Sequence, residues 1–461
     1  MVIFPKMIQN HKERTPFQEH EMKETHFLRP TSLLTAFLFW AFTLIAPPSF
    51  AIDSSKIKVS GDARVRYEKY KGKDLDQSNA VASSEQAISQ SDYTTTRIRI
   101  GADFTVTDSV SVFFQPQFVK RFGQTDTTTG GTVLTSGTTN QANNDLGMYQ
   151  GYINWSPLSI VHFIAGRQRL HFGDGLLISD RDFHMYGQAF DGVRLQVELG
   201  NGTVDLFSSK YVDFEAPNTN EPEDEADLLG VYTSWDFEMP ALKKVDFYFT
   251  RFDNSVRSST QAGLPGSTST YGGRIKSTLG DFDYRLEGMH QGASDHMGDG
   301  EVGYTFKWMD VRLAGGYFYA SNDYNDPFSL KHRYMGYADL FSKRNLKGCH
   351  AHASISPMEG IRLAVDYHNF TRTNKNRTVY DTSNTSYGSE TSGSSLVDYT
   401  GFSDEVGSEV DLTLFYQATK RVEFELEASR FQHGNFFKNQ PTLLHTSRAV
   451  KQFYASVSVL L

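Results

Sequence analysis

Residues 164–198 read IAGRQRLHFGDGLLISDRDFHMYGQAFDGVRLQVE. The stretch starts as a strand, opens into a loop rich in glycine and aspartate at His171–Gln188, and returns as a strand. On the return, Val193, Leu195 and Val197 share one face, and Arg194, Gln196 and Glu198 share the other. Side chains alternate across a strand, so an apolar face backed by a charged one separates two solvents. The pattern reads as lipid outside and a water-filled lumen inside.

The same unit recurs along the chain. Ala63, Val65 and Tyr67 alternate with Arg64, Arg66 and Glu68, and Ile98 and Ile100 with Arg97 and Arg99. Short turns fall at 107–109, 156–158, 200–202, 238–243, 280–281, 309–310, 357–360 and 418–421. Longer polar connections fall at 72–91, 124–144, 171–188, 215–227, 254–270, 321–346, 371–405 and 432–446. A further gap lies between strands read at Phe282–Gln291 and Gly300–Trp308. The reading gives an all-β chain of about eighteen strands, the even number and short–long alternation of a single transmembrane antiparallel barrel. A large sandwich would divide into domains and a propeller would repeat a blade motif; neither pattern is present.

Composition agrees. The 461 residues include 35 Phe, 23 Tyr and 37 Gly, a single Cys at 349, and a net charge of −9. One cysteine excludes an internal disulfide, and the acidic balance argues against general nucleic-acid binding. Ahead of the strands, Leu33–Ala46 is apolar, preceded by Arg29 and followed by Ser49-Phe50-Ala51. A run of about fourteen residues is short of the ~20 that span a bilayer as a helix. It suits a secretory signal cleaved after Ala51, making 1–51 the signal and 52–461 the barrel. Met22-Lys23 would make a more ordinary start for such a signal.

Three stretches resemble the alginate-export family of outer-membrane barrels. They are Gly166-Arg167-Gln168-Arg169-Leu170 with Gly173-Asp174 and Phe190–Leu195; His332–Phe370; and Gly407–Lys438 followed by the closing strand. The resemblance implies an eighteen-stranded monomer in the bacterial outer membrane, among lipid and lipopolysaccharide. It implies a passage for an anionic polysaccharide and periplasmic export partners, with a pore lined by arginine and lysine among carboxylates. The terminal Leu461 departs from the aromatic terminus common in such barrels, with Phe453 and Tyr454 close by.

If Ile98, Val193 and Leu363 face lipid, parity turns Arg97, Arg99, Arg194 and Arg362 inward, and likewise Arg64 and Arg66. Arg167, Arg169, Arg274, Arg285 and Arg312 join the candidate path, although neighbouring glycines blur their faces. Guanidinium stays charged and donates paired hydrogen bonds to a carboxylate, which suits a uronate-bearing polymer. The same face carries Glu68, Glu198, Glu287, Asp366, Glu409, Asp411, Glu423, Glu425 and Glu427. Cross-strand pairing that stiffens the wall is therefore the competing role for each arginine. If the 171–188 loop folds inward as a constriction, Asp174, Asp180, Arg181, Asp182 and His184 sit in the path; otherwise it is an exposed loop.

The run EPEDEAD at 221–227 offers the oxygens that Ca²⁺ prefers, and is equally an ordinary solvated loop. His350 and His352 share a strand face, but two ligands without a third make no metal site. Nothing resembles a nucleophile elbow, zinc signature, phosphate loop or dinucleotide fingerprint. The expected protein is not an enzyme, carries no cofactor or metal, and binds no nucleic acid. Its expected function is passive conduction of an anionic polysaccharide or small anion. The alternatives are a general or sugar-selective porin, and a structural or adhesive surface barrel.

Overall fold

The computed structural model describes residues 54–72, 90–127, 144–212, 227–253, 267–382, 386–387, 391–392, 395–396, 399, 401–438 and 449–461. The signal segment 1–51 and most of the EPEDEAD run lie outside the described residues. Eighteen strands form one antiparallel sheet in chain order, and the last pairs with the first from Asp62↔Leu460 to Lys71↔Lys451. The wall comprises β1 (Ile57–Lys71), β2 (Gln90–Thr107), β3 (Val110–Thr127), β4 (Asn144–Leu158), β5 (Val161–Gln168) and β6 (Ala189–Leu199). It continues with β7 (Gly202–Val212), β8 (Asp227–Met239), β9 (Leu242–Asp253), β10 (Ser267–Leu279), β11 (Phe282–Gln291) and β12 (Asp295–Phe306). It closes with β13 (Val311–Ala320), β14 (Leu346–Met358), β15 (Ile361–Arg372), β18 (Glu405–Thr419), β19 (Val422–His433) and β20 (Val450–Leu460). The two-residue strands β16 (Thr391–Ser392) and β17 (Ser395–Leu396) form a separate ladder.

Closure removes every open edge, so each strand satisfies its backbone groups within the wall, as hydrocarbon requires. Among the described residues no helix is long and apolar enough to cross a membrane. The outer face leaves Val65, Ile98, Ile100, Val193, Leu286, Leu313, Leu363 and Leu412 exposed. Such a continuous apolar surface is rare on a soluble monomer. Near the short turns Trp155, Phe282, Phe306 and Trp308 are exposed, and near the opposite rim Phe122, Tyr271 and Phe453 are. Two aromatic girdles flanking an apolar band mark the two interfaces of a bilayer.

One connection differs from the sequence reading. β12 begins at Asp295, not Gly300, so only Gly292–Ser294 joins β11 to β12 at the long-loop rim. Two glycines, Gly292 and Gly298, fall in the gap left by the sequence reading, yet Gly298 pairs in the ladder with Gly288.

Candidate functional site

The lumen contains a folded core. Leu170, Leu176, Ile178, Phe328, Met335, Leu340 and Phe341 are all at most 5% exposed, and all lie in connections between strands. Two connections turn inward to build it. The first, 169–188, leaves between β5 and β6; the second, 321–345, leaves between β13 and β14, eight strands away around the wall. They meet through backbone bonds: Ser179 N–H donates to Phe328 O (2.9 Å) and Leu330 N–H to Gly175 O (2.8 Å). Arg181 donates from Nε to Ser329 O (3.1 Å) and from Nη2 to Pro327 O. Phe183 stacks on His332, with centroids 3.4 Å apart.

The first loop is tied to two further walls. At one end the Asp182 carboxylate receives Arg99 Nη1 (2.5 Å) and Arg97 Nη1 (3.0 Å), with Arg64 Nη2 at 3.7 Å. Arg64 also donates to Asp182 O, and Arg66 to Phe183 O. At the other end Asp174 meets Arg274 (2.8 Å), Lys276 (3.0 Å) and Arg285 (3.9 Å). β1–β2 and β10–β11 are nine strands apart, half of the eighteen. The loop is therefore a bar across the lumen, held at opposite walls by aspartates gripped by cations.

Local sequence permits this seating. Gly187 has φ +72°, and a Cβ there would lie 2.6 Å from Arg99 Nη2 and 2.8 Å from the Tyr149 hydroxyl. Glycine lets the loop press against the guanidinium, whose carbon sits 3.5 Å from the Tyr149 ring centroid. Gly336, at φ +85°, does the same in the second loop, where a Cβ would fall 2.4 Å from Glu409 Oε1. Ala338 N–H then donates to Glu409 (2.8 Å).

Enclosure by the barrel raises the affinity of the Asp182 carboxyl for protons. Arg97, Arg99 and Arg64 more than reverse this and hold it at about 2. The side chain remains 45% exposed, so lumenal water screens the pairs and moderates their strength.

The structure sorts the remaining candidates. Arg194 faces inward and pairs with Asp205 (2.7 Å). Arg274 and Arg285 are buried and carry wall partners as well, Asp246 (2.6 Å) and Asp299. Arg312 sits between Asp283 (2.6 Å) and Glu301 (2.7 Å). Arg169 is half exposed beside Asp180 (3.2 Å), which also meets His171 (3.0 Å). His184 is exposed toward the cavity described below. Arg362 is exposed at the short-turn end, 5.9 Å over the Phe415 ring.

Arg167 is a correction. It stands directly across from Asp191, and two positions along, Ala165 stands across from Val193, which is 43% exposed to the outside. Directly paired residues share a face, so Arg167 lies on the outer face, in a two-point pair with Asp191 (2.7 Å for both bonds). Arg181 goes inward with its loop, and its guanidinium donates to the carbonyls of Ser329 and Pro327 in the second loop.

Sequence reading did not single out the second loop or Arg121. The loop's signal was available. Residues 321–345 hold Tyr324, Phe328, Leu330, Tyr334, Met335, Leu340 and Phe341, an apolar load that no solvated loop needs. Its His332 is buried against Asp339 (2.9 Å) and Glu427 (3.5 Å). Burial pulls the imidazolium down, but these carboxylates raise it to about 10. A group so raised stabilises the seated loop fully below the ordinary histidine value of about 6.5, and that contribution is lost as pH rises through about 10. Hydrogen-exchange protection of 331–341, corrected for intrinsic exchange, should fall across that window. A His332→Asn variant should show a flat profile; a wild-type profile equally flat would remove His332 as the latch.

Comparison with known proteins follows this geometry. The sequence profile described as alginate export matches residues 57–451. No curated protein sequence matches the chain. Solved structures similar to it include a BenF-like porin from Pseudomonas fluorescens Pf-5 (TM-score 0.56, 10% identity, 88% of this chain and 99% of that one). Pseudomonas aeruginosa OccK9 (OpdG) aligns at TM-score 0.55 and 12% identity over 88% of this chain and 98% of that one. OccK2 (OpdF) from the same organism, solved in complex with glucuronate, aligns at 0.52 and 12% over 88% and 98%. At these identities the likeness is one of fold.

Proposed function

The chain belongs to the alginate export family of outer-membrane β-barrels, and from that premise we propose that it passes an anionic polysaccharide, or a smaller anionic solute, passively through an arginine-lined lumen. The bacterial outer membrane is its location. One observation carries the reading. Arg64, Arg97 and Arg99 converge at mid-wall on a single carboxylate, that of Asp182. The chain's own aspartate occupies the geometry that a uronate carboxylate would take, with charge-assisted bonds of the kind guanidinium forms best. Exchange between such sites lets a polyanion move without being trapped, which conduction requires. The glucuronate held by OccK2 is a carboxylate-bearing sugar on a similar fold. No step in this reading needs enzymatic chemistry or a cofactor.

A second reading, a general or sugar-selective porin, draws on a different fact. Arg194, Arg274, Arg285 and Arg312 already have wall carboxylates as partners, so much of the inner charge is neutralised. Single-channel current across a salt gradient, with and without oligomannuronate, separates the two. Anion selectivity with block by the oligomer supports the first. Weak selectivity without block supports the second, and no current supports a structural barrel closed by its loops. Arg97→Glu with Arg194→Glu should move the reversal potential away from anion preference. An unchanged potential in this double variant would remove both as pore charges.

A further inference from the structure

A cavity of about 360 Å³ lies beside the bar, lined in part by Arg66, Glu68, Tyr93, Thr95, Arg121 and Tyr454. Loop residues 183–186 and Asp339 complete much of the rest. Its walls come from adjacent strands β20, β1, β2 and β3. β2 runs from the long-loop rim toward the short turns, so Thr95 lies nearer the rim than Arg97 and Arg99, which hold Asp182. The cavity is therefore on the long-loop side of the bar.

Its charges do not cancel. Arg66 pairs with Glu68 (2.7 Å), and the same carboxylate accepts from the Tyr93 hydroxyl (2.9 Å). Asp339 pairs with His332 (2.9 Å). Arg121 is left over. Its guanidinium carbon lies 4.3 Å from the Tyr93 ring centroid, its Nε has no hydrogen-bond partner, and among the described residues no carboxylate pairs with it. Thr95 stands directly across the ladder from Arg121, is 3% exposed, and its hydroxyl also has no partner. A buried donor left unsatisfied is unfavourable, so this pair of neighbours is prepared for a ligand acceptor. Around them, Tyr93, Tyr454 and Phe183 supply aromatic lining to the cavity.

We propose that this cavity is a discrete subsite for one hexuronate unit, its carboxylate held by Arg121 and Thr95 and its ring set among Tyr93, Tyr454 and Phe183. The assignment rests on the anionic-saccharide reading above and names the unit recognised and the place. The volume is at the small end of the roughly 300–1,000 Å³ of ligand pockets, which suits a monomer or a chain end and not a coiled polymer. Its position makes it the first stop for a solute arriving from the long-loop side, and the last for one leaving that way.

Two measurements on the detergent-solubilised full barrel keep this claim separate from the channel claim. Calorimetric titration with sodium glucuronate, and with glucose as the neutral control, reads the subsite. Planar-bilayer current reads the channel. Glucuronate should bind and glucose should not, with affinity reduced at least tenfold in Arg121→Gln and severalfold in Thr95→Val. Heat-modifiable migration on gels confirms that both variants are folded. Equal binding of glucose, or wild-type glucuronate affinity in folded Arg121→Gln, overturns the subsite, even in a conducting barrel. Binding that is lost in Arg121→Gln while no current flows sustains the subsite and overturns the channel.

Discussion

Asp182→Asn is expected to raise single-channel conductance about three- to tenfold and to shift the reversal potential further toward anions. The carboxylate is the one acceptor shared by Arg64, Arg97 and Arg99. The amide that replaces it keeps the shape but supplies no charge. Three guanidiniums would then repel one another, and the bar's hold on β1–β2 would weaken to the bonds that Arg64, Arg66, Arg97 and Arg99 donate to its backbone carbonyls. The freed positive field would concentrate anions in the lumen, an effect that reaches tenfold and beyond in focused clefts. Because Asp182 is held at about 2, its contribution is present above the ordinary aspartate value and is lost only as pH falls through about 2. Wild-type current should accordingly show no step from this group between pH 7 and pH 4. Wild-type conductance and selectivity in a folded Asp182→Asn barrel would show that the bar does not limit flow.

The second large effect belongs to the other loop. Asp326 and Lys343 form an ion pair at 2.7 Å, both side chains at most 1% exposed, with Ser329 bonded to each. Removing one partner of a buried pair leaves an uncompensated charge and costs about 3–5 kcal/mol. Asp326→Ala should spend that cost locally, on the seating of 321–345, because the wall has its own closed hydrogen-bond ladder. Phe328 and Leu330 carry the contacts to the first loop, so the bar should loosen with it. The expected readouts are lost exchange protection across 321–345 and larger, noisier currents. Asp326→Leu with Lys343→Met removes both charges and should restore most of the protection, since a well-packed apolar pair often matches an ion pair. A double variant as unprotected as the single one would show that the pair is not what seats the loop.

The barrel was legible because its signal is local. Val193, Leu195 and Val197 against Arg194, Gln196 and Glu198 reveal two faces within six residues, and similar alternation recurs in other wall strands. Parity placed Arg64, Arg66, Arg97, Arg99 and Arg194 on the face opposite the lipid-facing apolar residues, where the structure also has them. It misplaced Arg167, because the two glycines at 166 and 192 remove the side chains that would have shown which face is apolar. It missed that β12 starts at Asp295, for the same reason.

By itself, then, the sequence determined an exported all-β chain, the strand number, the alternation of short and long connections, and an inner face rich in arginine and carboxylate. All of these follow from a period of two and from turn residues that act within a few positions. Only the tertiary structure decided which connections turn inward and which cations each aspartate engages. Asp182 meets Arg97 across 85 positions, and Arg181 meets Ser329 across 148. Those partners become neighbours only when the last strand closes on the first. Closure brings walls nine strands apart within reach of one loop, and it leaves Arg121 facing a cavity instead of a carboxylate.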